Sequence, residues 1–237
     1  ADSANVIYAQ SDSLPVIVKL KAALLLTYND IQNLAKAKNG ASTTIIASLA
    51  TIQSAIDAIT PLVNNAGANT TIKATLQGYL DAANAAQKSA TDAQSAAANA
   101  TDPAGTTKPT QDAASAAQNA TKAKDDAIKA NDAAASEAAR AKTLTEAKNT
   151  ASSAINANLE TIKAAIDGIT PLVTNTTNTT LKATLQGYLD AANAAQKSAT
   201  DALSAAANAT DPAGITQARA SASTAAQNAT KAKDDAI

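Results

Sequence analysis

The stretch from Ala113 to Ile169, AASAAQNATKAKDDAIKANDAAASEAARAKTLTEAKNTASSAINANLETIKAAIDGI, decides the fold. Ala113, Ala120, Ala127, Ala134, Ala141, Lys148, Ile155, Ile162 and Ile169 recur every seven residues without a phase slip, and no proline falls between Pro109 and Pro171. Such a seam marks an α-helix packed along its length against other helices. The spacing predicts one helix over about 110–170, roughly 90 Å long at 1.5 Å per residue. A hairpin partner covers only half of that. The first half is therefore expected to pair with the helix before it, and the second half, rich in Ile155, Ile162, Ile166 and Ile169, with Leu181, Leu185 and Leu189 after it.

Working outward, clusters of helix-breaking residues stand at Thr60-Pro61 through Asn69, Thr101 through Pro109, Thr170-Pro171 through Asn178, and Thr210 through Gly214, which divides the chain into five helices. The helix over about Thr70 to Ala100 carries Leu76, Ala83, Ala90 and Ala97 at one seam position and Tyr79, Ala86, Ala93 and Ala100 at the other. The first helix carries Ile17, Leu24, Ile31, Lys38, Ile45, Ile52 and Ile59. Mostly alanine seams place helix axes at the short end of the roughly 8–10 Å range. Gly78 and Gly187 are expected to relieve contact beside Tyr79 and Tyr188.

The chain is also written twice. Ala74 to Gly105 reads ATLQGYLDAANAAQKSATDAQSAAANATDPAG, and Ala183 to Gly214 repeats it with Leu203 in place of Gln94, a period of about 109 residues. Near-identical copies multiply a surface, whereas a catalytic site needs one asymmetric pocket. Alanine supplies more than a quarter of the residues, while Cys, His, Met, Trp and Phe are absent. Alanine loses no side-chain entropy in a helix and cannot fill a wide core, so thin, extended helical packing is expected. The net charge of -1 favours neither nucleic acid nor anionic membrane. The longest apolar run, Leu14 to Leu26, holds Pro15, Lys19 and Lys21 and is read as too short and too charged to span a bilayer.

Three antiparallel helices per unit, with the last helix of one unit running into the first of the next, resemble the spectrin repeat in layout and unit length. The pattern is also similar to the three-helix modules of bacterial surface adhesins. The expected fold is all-α, with tandem antiparallel three-helix bundles, alanine-rich heptad seams and long helices shared between repeats. Residues 1–14 are expected to form an N-terminal arm, 15–38 a half-helix that completes a neighbouring unit, 39–138 the first repeat and 139–237 the second. Val6-Ile7-Tyr8 in the arm would dock in an assembly or stay disordered. Leu76, Tyr79, Leu80, Ile155, Ile162, Ile166, Ile169, Leu185, Tyr188 and Leu189 are expected to form the structural seams.

Chemical motifs are sparse. Without His or Cys, the usual nucleophile–base pairs and the commonest zinc ligands cannot be built, and no catalytic, cofactor or metal residue is assigned. Asp125-Asp126 and its copy Asp234-Asp235 read as a solvated charged face beside Lys122 and Lys129. Among the Asn-x-Thr sequences, Asn69, Asn175 and Asn178 lie in connections and are the best glycosylation candidates; helix capping is the favoured role for that cluster. The reading is a non-enzymatic, extracellular structural protein that self-associates head-to-tail as a subunit of a filament, surface layer or adhesin stalk, its signal peptide removed. The alternatives are a helical ice-binding protein, suggested by the Ala/Thr composition but not by threonine spacing, and an adhesin for a protein or glycan.

Overall fold

The computed structural model describes residues 3–237, with side chains from Leu14 onward. The chain is all-α: α1 (Ser3–Asn65), α2 (Thr70–Ala98), a 3-10 turn (Ala104–Thr106), α3 (Thr107–Asn175), α4 (Thr179–Asn208) and α5 (Pro212–Ala236). It separates into two compact units, Ala1–Ala135 and Ser136–Ile237.

In the first unit the core joins three stripes. Ile45, Ile52 and Ile59 come from α1, Leu76, Ala83, Ala90 and Ala97 from α2, and Ala113, Ala120 and Ala127 from the start of α3. α1 and α2 run in opposite directions, since Gln87 Nε2 donates to Gln53 Oε1 at 2.8 Å and Lys38, further back on α1, reaches Ala98 at the far end of α2. In the second unit Ile155, Ile162 and Ile169 of α3 meet Leu185, Ala192, Ala199 and Ala206 of α4 and Ala222 and Ala229 of α5. Each core therefore sets isoleucines on one helix against mostly alanine on the others, with Leu76 in the first and Leu185 and Ile215 in the second as the large exceptions, an interdigitation of large with small that fills the narrow space between helices.

Helix ends are fixed by short side chains. Asn69 Oδ1 accepts from Ile72 N at 3.2 Å at the start of α2, and Asn178 Oδ1 from Leu181 N at 3.0 Å at the start of α4. Asp211 Oδ1 accepts from Gly214 N at 2.8 Å with Pro212 in the first turn of α5, and Asp102 binds Gly105 N identically. A Cβ at Gly105 or Gly214 would stand 3.2 or 3.3 Å from the Cβ of Ala100 or Ala209, so glycine lets this turn close without displacing its neighbour. Gly67, at φ 60°, closes α1 in the left-handed region, whereas the α3–α4 connection Thr176–Asn178 is one residue shorter than Ala66–Asn69 and has no such position.

Several expectations are corrected. Pro61 and Pro171 lie inside α1 and α3, which end at Asn65 and Asn175. A proline in a helix interior costs about 3 kcal/mol, and burial of one valine side chain returns about 1.5–3 kcal/mol. Val63 and Val173, 5% and 7% exposed, with Leu62 and Leu172 packed beside them, hold the last turns in helix. α1 likewise passes through Pro15 and begins at Ser3, so the N-terminal arm is helical in its backbone; the side chains of Val6, Ile7 and Tyr8 lie outside the described residues. Gly78 and Gly187 relieve no contact, because a Cβ on either would meet open space. Leu181 is 50% exposed, for it sits in the first turn of α4 ahead of the core that Leu185 reaches.

Candidate interaction surfaces

Of the seam residues, Leu76 is buried in the first core and Ile155, Ile162, Ile169 and Leu185 in the second. Tyr79 and Leu80 are half-buried against the first core, as are Ile166, Tyr188 and Leu189 against the second. The structure thus distributes the named seam over two separate cores and brings it to no common pocket.

The charged side chains pair along their own helices. Lys122 with Asp126, Lys163 with Asp167 and Lys231 with Asp235 are spaced four apart, and in each the hydrogen bond to the aspartate, helped by its charge, holds the lysine above its ordinary value. The three lysines are exposed and Asp126 alone of their partners is half-buried, so the pairs tune helix surface chemistry. Among the described residues no three acidic, His or Cys groups converge to hold a metal ion. Of the glycosylation candidates, Asn69 and Asn178 spend their Oδ1 atoms on the caps described above, and Asn175 is the exposed last residue of α3.

Each unit carries an open-sided cleft in the corresponding place. One of about 440 Å³ lies between Thr27, Asp30 and Ile31 of α1 and the Thr101–Pro103 turn. Its counterpart of about 400 Å³ lies between Glu137, Arg140 and Ala141 of α3 and the Thr210–Pro212 turn. The turn is the same in both, but Asp30 is replaced by Arg140 and Thr27 by Glu137. A ligand matched to one charge pattern is mismatched to the other, so the clefts follow from the helix–turn geometry and are not two copies of one binding site.

The surface that composition alone did not single out as a site lies on α1. Leu14, Val16, Ile17, Val18, Leu20 and Leu24 are each at least 57% exposed, and Leu25, Leu26, Tyr28 and Ile31 continue the patch. By length and composition α1 contains one segment apolar enough to cross a membrane, with an 18-residue window of mean hydropathy 1.4 that is 28% buried. Lys19, Lys21 and Asp30 interrupt the exposed patch itself.

No family model, curated protein or solved structure matches the chain.

Proposed function

We propose that the chain is a non-enzymatic structural repeat protein, built as tandem three-helix bundles of spectrin-like layout and acting outside the cell as a subunit of a filament, surface layer or stalk that self-associates head-to-tail. The observation that carries this reading is the pair of cores, each made of an isoleucine stripe against alanine stripes at heptad spacing, with α3 supplying residues to both. Such a chain invests its apolar residues in linear seams. Arrays of this kind behave as quasi-one-dimensional objects in which each unit depends mainly on its neighbours.

Negative-stain electron microscopy across a concentration series tests the reading. Regular filaments or sheets are the expected result, whereas isolated particles at every concentration overturn it. Thermal hysteresis in the same samples would then move the assignment to the ice-binding class, and retention on cell-wall or host glycan material would move it to the adhesin class.

A further inference from the structure

α1 carries one heptad seam with two fates. From Ala41 to Val63 its inward positions are covered by the rest of the first unit, and Ile45, Ile52 and Ile59 are fully buried. The cover ends at Lys38, whose Nζ donates to the carbonyl of Ala98 at 2.8 Å near the end of α2. Upstream of that point the seam continues in the same phase through Leu34, Ile31, Leu24, Leu20 and Ile17. Leu34 is half-buried beside the Thr101–Pro103 turn, and the other four are 57–70% exposed.

The internal repeat provides a control for that exposure. Matching Lys38 to Lys148 and Ile45 to Ile155 sets Ile17, Leu20, Leu24, Leu25, Tyr28 and Ile31 opposite Ala127, Ala130, Ala134, Ala135, Ala138 and Ala141 of α3. Ala127 is buried in the first core, Ala130 and Ala134 are half-buried, and only Ala135, Ala138 and Ala141 are exposed, where alanine holds a solvated helix without difficulty. All six positions on α1 instead carry large apolar side chains. Helix formation does not require them, and the rest of the chain does not cover them among the described residues.

From these observations we infer that residues 14–34 of α1 dock on the same segment of a second copy of this chain, as a parallel two-stranded coiled coil. Three features choose this occupant. The exposed seam is continuous and in phase with an established helix–helix core, so the surface it fits is another helix of seven-residue period. Its alternating positions read Ile17, Leu24 and Ile31 against Leu20, Thr27 and Leu34, and isoleucine at two of the three first positions with leucine at two of the three second ones favours two parallel strands. The exposed Ile17, Leu20, Leu24 and Ile31, flanked by Val16 and Tyr28, form a contiguous apolar strip of the kind that marks an interaction surface. A lipid surface fits less well, because the polar positions add only Lys19 and Lys21 against Asp30 and so lack the basic excess that draws a helix to anionic membrane. This inference goes beyond the head-to-tail reading, because the contact joins identical segments of two copies and closes as a pair, adding a junction that the filament contact does not supply.

The test uses the full chain. Sedimentation equilibrium is expected to show dimers or larger species, and Leu20→Glu/Leu24→Glu to reduce them to monomer with unchanged helical circular dichroism, since both side chains are exposed and outside either core. Because the chain has no cysteine, Leu24→Cys introduces a single thiol, and a short bis-maleimide is expected to join two copies at that position in high yield. A monomeric wild type overturns the inference, as does assembly that survives the double substitution or yields no crosslink. Flotation of a monomeric wild type with phosphatidylcholine vesicles, abolished by the double substitution, overturns it in favour of a lipid surface. The broader reading is tested separately: filaments formed equally by the double variant leave the structural reading standing and remove this contact, whereas crosslinked dimers without filaments keep the contact and remove the filament.

Discussion

Lys148 Nζ donates to the carbonyl of Ala207 at 2.8 Å, near the end of α4, as Lys38 Nζ does to Ala98 at the same distance near the end of α2. The last carbonyls of a helix have no intrahelical donor and carry the negative end of its dipole, so a lysine from the neighbouring helix satisfies both needs. This explains a charged residue at a seam position that holds isoleucine in the following three heptads.

Replacing either lysine by alanine is expected to lower stability by about 1 kcal/mol, the range for an exposed cationic partner at a helix end. Urea unfolding of Lys38→Ala and Lys148→Ala measures it. Unchanged midpoints in both would show that water serves those carbonyls equally well.

Glycine gives the opposite sign. Gly78→Ala and Gly187→Ala place a methyl group in open space within a helix, so each should stabilise by about 0.5–1 kcal/mol. Gly168→Ala is a stricter case, since its Cβ would stand 3.3 Å from Cε of Lys233, a flexible side chain able to shift. Thermal unfolding is expected to rank all three above the parent chain, with Gly168→Ala gaining least.

The cores are sensitive in both directions. Ile52→Ala and Ile162→Ala each empty a fully buried position and should cost about 2–5 kcal/mol. Ala90→Leu and Ala199→Leu force extra volume into sites of zero exposure, and a loss of about 1–3 kcal/mol or more is expected. Loss on enlargement as well as truncation, seen in denaturant midpoints, is the mark of close helix approach. A neutral Ala90→Leu would indicate a looser bundle.

Alkaline pH should loosen the helix surfaces. Lys122, Lys163 and Lys231 are raised above the ordinary value of 10.5, first by the aspartate hydrogen bond and then by its charge. A raised lysine contributes its stabilisation in full below the unfolded value and loses it as pH climbs through the folded one, so the decline begins above 10.5. Circular dichroism during an alkaline titration checks this, and Lys163→Met should remove part of the decline. The effect is small because the lysines are exposed to water and the pairs are screened by salt.

How far the sequence speaks can be seen at particular residues. The period of seven through Ile155, Ile162 and Ile169 was readable because burial on a helix repeats at that spacing, and it led to the all-α assignment. Pro61 and Pro171 misled, since local propensity stops a helix there while Val63 and Val173, through contacts distant in sequence, continue it. Ile17 and Leu24 were legible as seam members but not as exposed ones. Exposure depends on where α2 ends, which a pattern confined to α1 does not contain.

Every ion pair found among the described residues joins two positions of one helix, and none links two helices. Ion pairing consequently neutralises each rod separately, and the charged contacts made between rods are those of Lys38 and Lys148 with helix-end carbonyls, which are the same in both halves. Most of α2 and α4 is also the same peptide, from Ala74 and Ala183 onward. During folding, the first isoleucine stripe has little chemical means of telling its own alanine partner from the twin in the other half or in another molecule. Chain connectivity makes the choice, through the short turns at Ala66–Asn69 and Thr176–Asn178, whose closeness in sequence brings the adjacent helix back first. Lengthening either turn would relax that selection and turn correct assembly into a competition among equals, with exchanged helices between molecules as its product.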